Sequence, residues 1–162
     1  MNPVVRNLIV CEDMLRDTEN INRMTLVNII STIRHYEKSR LSCLRRLGMT
    51  LVNIISTIRP TDDVGFPLSV PQICVYAQVT ECRRQGSIHL RIIHSGSGHV
   101  VCRTTDRVLT FPNRPLDVVG IPFRILECTF PTPGLYDVEL WFGSDCLAQQ
   151  PIRVEEIQHV NE

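Results

Sequence analysis

Three histidines recur at five-residue intervals, His89, His94 and His99. A glycine-rich SGSG stretch at 95–98 lies between the last two, and a hairpin closed there sets His94 opposite His99, near enough for both to touch one metal ion. The pattern supplies no third ligand, because Cys102 falls on the opposite face. Two histidines beside a loop more commonly serve as polar hairpin residues, so the expectation is a chain with no metal and no cofactor, with His94 and His99 the candidates if a metal is held. The seven cysteines are scattered, with no CxxC and no nucleophile motif around any of them, and each reads as strand filling. Their odd number argues against a disulfide framework. Glu12–Asp13, Asp62–Asp63 and Glu155–Glu156 are consecutive pairs; on strands their side chains diverge, which suits solvated edges better than a general acid and base. SGSG lacks the strand–loop–helix setting of a phosphate loop. No catalytic residue is assigned. Arg91, Arg124 and Trp141 are read as outward-facing strand residues and are the candidates for an interaction patch. Packing of Trp141 against a loop or against the duplicated segment accounts for it equally well.

Charge narrows the classes further. Net charge is zero, yet residues 24–48 carry Arg34, Lys38, Arg40, Arg45 and Arg46 against Glu37, leaving the remainder acidic. That remainder is not a nucleic-acid binder by charge. Lys38 is the only lysine, so Schiff-base and phosphate-loop chemistry is excluded elsewhere in the chain. No apolar run approaches the ~20 residues of a membrane-spanning helix. The start, MNPVVRNLIVCEDML, has neither the apolar length nor the small-residue site of a signal peptide, so a cytoplasmic protein is expected.

The elements that must position these residues are short and rich in β-branched types. VVRNLIVC (4–11) reads as a first strand and EDMLRDTENINR (12–23) as polar and turn-like. QICVYAQVT (72–80) alternates, with Ile73, Val75, Ala77 and Val79 on one face and Cys74, Tyr76 and Gln78 on the other. SIHLRIIH (87–94) and HVVCRTT (99–105) form the hairpin. IPFRILECTF (121–130) is a strand with Pro122 at its start or on an edge. PTPG turns into LYDVELWF (135–142), which places Tyr136, Val138, Leu140 and Phe142 together, and CLAQQPIRVEEI (146–157) is the last strand, with Ile152 and Val154 on one face. About eight strands at regular spacing predict one antiparallel sandwich or barrel.

One feature organises the chain more than any of these. Residues 24–34 and 49–59 are the same eleven letters, MTLVNIISTIR, 25 positions apart. Removing one unit leaves a chain with a single such strand between two polar connections. The fold therefore offers one slot to two candidate occupants, and the unplaced copy is a β-prone strand suited to pairing with a sheet edge, its own or another molecule's. A homo-oligomer through the spare copy is one expectation; a duplication without function is the other. The apolar spacing from Leu26 also admits an amphipathic helix, favoured over 39–48 and stopped by Gly48.

The ending FPTPGLYDVELWFGSDCLAQQPIRV (130–154) resembles the F-P-x-P-G-x-Y ending, short hairpin and final strand of a family of small uncharacterised bacterial β-sandwich domains. LIVCEDM, MTLVNIISTI and FPLSVPQICVYAQV resemble that family's first three strands, so the likeness spans nearly the whole chain apart from the duplication. The resemblance implies a fold and no activity. Immunoglobulin-like domains share the Gly-x-Tyr element, which implies that the Tyr136 hydroxyl tethers a corner.

The sequence thus predicts one domain over 1–162: an all-β, immunoglobulin-like antiparallel sandwich of seven to nine strands, with a short helix in the duplicated insert. The expected function is a non-enzymatic cytosolic module that binds another protein, not nucleic acid or membrane, through a sheet face or edge. A small metal-dependent hydrolase built on the His94/His99 hairpin, or a non-functional duplicated gene product, are the alternatives.

Overall fold

A computed structural model describes residues 2–19, 24–30, 49–55, 57–58, 66–110 and 117–155. It is all-β, with no helix among the described residues; two antiparallel sheets pack face to face and neither closes into a barrel. The strand segments are β1 (Val4–Arg16), β2 (Met24–Ile30), β3 (Met49–Ile55), β4 (Thr57–Ile58), β5 (Leu68–Thr80), β6 (Gly86–His94), β7 (Val100–Arg103), β8 (Arg107–Leu109), β9 (Val119–Phe130), β10 (Gly134–Phe142) and β11 (Asp145–Val154). That is more segments than the seven to nine strands anticipated, because β4 and β8 are short additions to one sheet and the duplication contributes β3. The helix expected over 39–48 lies outside the described residues.

Sheet A runs β3-β2-β1-β5-β9, and sheet B runs β4-β11-β10-β6-β7, with β8 also on β6. The core between them takes alternate residues from each strand. Leu8, Val10, Ile73, Val75 and Ala77 face inward from sheet A, and Leu90, Ile92, Val138, Leu140 and Ile152 from sheet B. Sheet A is buried on its other face as well: Ile9, Cys11, Met14, Met24, Leu26, Ile29, Cys74 and Tyr76 form a second cluster there. Burial on both faces is why LIVC and ICVYA read as unbroken apolar runs.

β1 is longer than its first eight residues suggest. EDMLR looks turn-like but continues the strand, because β2 pairs with it antiparallel from Val10↔Ile30 to Arg16↔Met24 and Met14 is buried in the second cluster.

The duplicated segment resolves in an unexpected way. The first copy supplies β2, which pairs with β1. The second copy does not loop out: its MTLVNII lies parallel to the first, each residue against its own duplicate, from Met24↔Met49 to Ile30↔Ile55. Two residues later, Thr57 and Ile58 of the second copy pair with Arg153 and Val154 of β11, in the other sheet. The slot expected for one strand is shared: the front half of copy one serves sheet A and the back half of copy two serves sheet B.

At the corner between β9 and β10, the Tyr136 hydroxyl donates to the carbonyl of Thr132 at 2.6 Å, with the ring fully buried against Phe130. The tether anticipated for Tyr136 is therefore in place.

Candidate functional site

The outward face of sheet B carries a polar cluster in an otherwise apolar sandwich. Register builds it. β6 and β10 are antiparallel with Arg91 opposite Glu139 and His89 opposite Trp141. β11 places Gln149 opposite Glu139, and β7 places Arg103 opposite Arg91. Because side chains alternate along each strand, all six project from one face.

Glu139 is the hub and is only 3 % exposed. Its Oε2 accepts from Arg91 Nε and, at 2.8 Å, from Trp141 Nε1; its Oε1 accepts from Gln149 Nε2 at 2.8 Å. Burial alone would push its pKa up, but these three donors overcome burial and hold the carboxyl below the usual carboxylate range. Arg91 in turn lies over the Trp141 ring, 4.2 Å from its centroid. His89 stacks on the same tryptophan, with centroids 6.3 Å apart and planes 9° from parallel.

His89 is nine-tenths buried, and Asp106 Oδ1 sits 3.0 Å from its Nδ1. That approach is out of line for a hydrogen bond, so Nδ1 is buried beside a carboxylate without a hydrogen-bond partner. Burial and then the Arg103 cation lower the His89 imidazole from its ordinary value, with Asp106 opposing them. Asp106 also pairs with Arg103 at 3.1 Å. Thr104 fixes this turn by exchanging hydrogen bonds with the Leu90 backbone.

The charged groups of the cluster engage one another. Its two arginines and two carboxylates balance and are already paired. The nearest thiol, Cys146 opposite Trp141, is pushed up by burial and by the Glu139 charge, so it is a poor nucleophile at neutral pH. What remains accessible is a tryptophan edge flanked by a guanidinium, both held on strands.

The three residues expected to form one patch divide. Arg91 and Trp141 come together here. Arg124 belongs to β9 and projects from the outer face of sheet A, on the opposite side of the sandwich. There it pairs with Asp13 at 3.2 Å, donates to Gln72 Oε1 at 2.8 Å and to the Met14 carbonyl at 3.2 Å. With Met14, Arg16, Met24 and Pro122 it lines an open pocket of ≈ 240 Å³.

His94 and His99 do face each other through the backbone, His94 N–H donating to His99 O at 2.8 Å. The His94 ring is committed elsewhere: Nδ1 accepts from the Ser97 amide at 3.1 Å and its edge meets Tyr136 at 5.1 Å. Among the described residues, no three His, Cys, Asp or Glu side chains converge on a point that holds a metal. Of the acidic pairs, Asp13 serves the Arg124 contact, and Asp62, Asp63 and Glu156 lie outside the described residues.

Sequence reasoning missed Glu139, His89 and Asp106 as a unit. One signal was present: the alternation that buries Val138 and Leu140 sends Glu139 to the same face as Trp141. The pairing of β10 with β6, which brings Arg91 and His89, was not readable locally. No helix among the described residues is long and apolar enough to cross a membrane. No family model matches the chain, and no match was found among curated proteins.

Proposed function

We propose that this chain is a non-enzymatic interaction module that binds another protein through the outer face of sheet B, with Trp141 and Arg91 as its anchors. The observation that carries this reading is the Arg91–Trp141–His89 stack, locked from beneath by buried Glu139. Tryptophan and arginine are the residue types that most often dominate binding energy, and anchors already ordered on rigid strands lose little entropy on docking. We further propose an immunoglobulin-like arrangement of the sandwich and a cytosolic setting. The Tyr136 tether supports the first; the six described cysteines, all free thiols, support the second.

The test begins with purification from the native host at native abundance, comparing the wild-type chain with Trp141→Ala. One stoichiometric protein partner is expected with wild type. It should be weakened by about 2 kcal/mol, or roughly 30-fold, in the variant. Trp141 is the only tryptophan, so its emission should shift when the recovered partner is titrated in. A partner retained equally by the variant, or emission unchanged at saturation, overturns the reading.

A further inference from the structure

Sheet edges expose unpaired backbone donors and acceptors, and folded proteins blunt them with short strands, prolines, charges or bulges. Among the described residues, three of the four edges are blunted. In sheet B, the described β4 edge is Thr57–Ile58 alone, and the opposite edge is divided between β7, of four residues, and β8, of three. At the β9 edge of sheet A, Pro122 removes one donor, Arg107 Nη1 caps the Pro122 carbonyl at 2.6 Å, and Glu127 at φ 55° interrupts the extended backbone.

The fourth edge, β3, has none of these devices. It is seven residues of MTLVNII without proline, glycine or charge, and nothing among the described residues pairs with its outer side. It is also a strand already shown to accept its own sequence, since it lies in register along an identical heptad of the same chain.

We propose that the outer edge of β3 pairs with β3 of a second copy of this chain. The two are related by a two-fold axis perpendicular to sheet A, so that the strands run antiparallel and sheet A is continuous across a closed homodimer. Among the described residues each chain has one such edge: the inner side of β3 is taken by β2, and the far edge of the sheet is the protected β9. Association therefore stops at two and does not propagate as a fibre. The dimer leaves the Trp141 face of sheet B free and is independent of the function proposed for it.

Sedimentation equilibrium of the full chain, coupled to hydrogen exchange, tests this. The mass is expected to rise with concentration from one to two chains of 18.5 kDa. Protection of the amides in 49–55 should rise in step. Val52→Pro should remove the second species, while Trp141→Ala leaves it unchanged. A monomer at every concentration, a species larger than two chains, a dimer whose 49–55 amides exchange alike at all concentrations, or a dimer that persists in Val52→Pro would each overturn the proposal.

Discussion

Glu139 accepts hydrogen bonds from three side chains on the outer face of sheet B, and its removal has a calculable cost. Glu139→Ala leaves Arg91, Trp141 and Gln149 without their shared acceptor. Arg91 is one-third exposed, so water recovers part of the loss; about 2 kcal/mol is expected, measured by urea denaturation. Acidification should act in two steps. His89 is lowered in the fold, so the unfolded chain takes up a proton first. Its contribution is complete above its ordinary value of 6.5 and is lost as pH falls through that value towards the folded one. Glu139 is also lowered, and its contribution is lost only in more acid solution, as pH falls through its folded value. Stability against pH should lose the first step in His89→Gln and the second in Glu139→Gln. Among the thiols, Cys102 is lowered by its pairing with the neighbouring Cys128 thiol, with burial opposing. Cys11 is pushed up to about 12 by burial and the neighbouring Cys74, and exposed Cys146 is pushed up as well. Peptide mapping after brief iodoacetamide treatment at pH 7 should find Cys102 labelled ahead of Cys146, and Cys128→Val should abolish that lead.

Among the elements, close approach constrains the start of β6. A Cβ on Gly86, at the start of β6, would sit 2.3 Å from Cζ of the Phe142 ring, which is 1 % exposed and has no room to retreat. Gly86→Ala is expected to cost on the order of 1–3 kcal/mol by overpacking, read as a lowered Tm. The elements also show what a sequence makes legible. Strand identity came through where the period of two is local, as in LYDVELWF, whose Tyr136, Val138, Leu140 and Phe142 are all buried. The Tyr136 tether was implied by the Gly-x-Tyr resemblance, and the structure has it, hydroxyl to the Thr132 carbonyl four residues back. The extension of β1 through EDMLR was not, since its polar letters resemble a turn and only β2 holds them extended. Nor was the site: Arg91 meets Glu139 across 48 positions, and Arg124 was grouped with Arg91 by residue type although β9 carries it to the other sheet. Local alternation gives a face; only long-range pairing says which faces coincide.

For the molecule as a whole, the parallel register of β2 and β3 makes the duplication structurally reversible. Ile30 and Ile55 are ladder neighbours, about 4.8 Å apart in such a pairing, while a peptide link spans about 3.8 Å. Excising 31–55 restores a single MTLVNIISTIR and joins β2 directly to the residues that lead into β4, with every other strand pair of the sandwich kept. The shortened chain is expected to retain the two-sheet circular-dichroism signature and a cooperative melt; a molten or unfolded product would refute it. The same register runs in the other direction. A third tandem copy would find on β3 the template that β3 found on β2, and a fourth would find it on the third. Repeat number in the gene is thereby transcribed into the width of one sheet, one rung per copy. A finite sandwich acquires the open-ended growth of a solenoid along a single border.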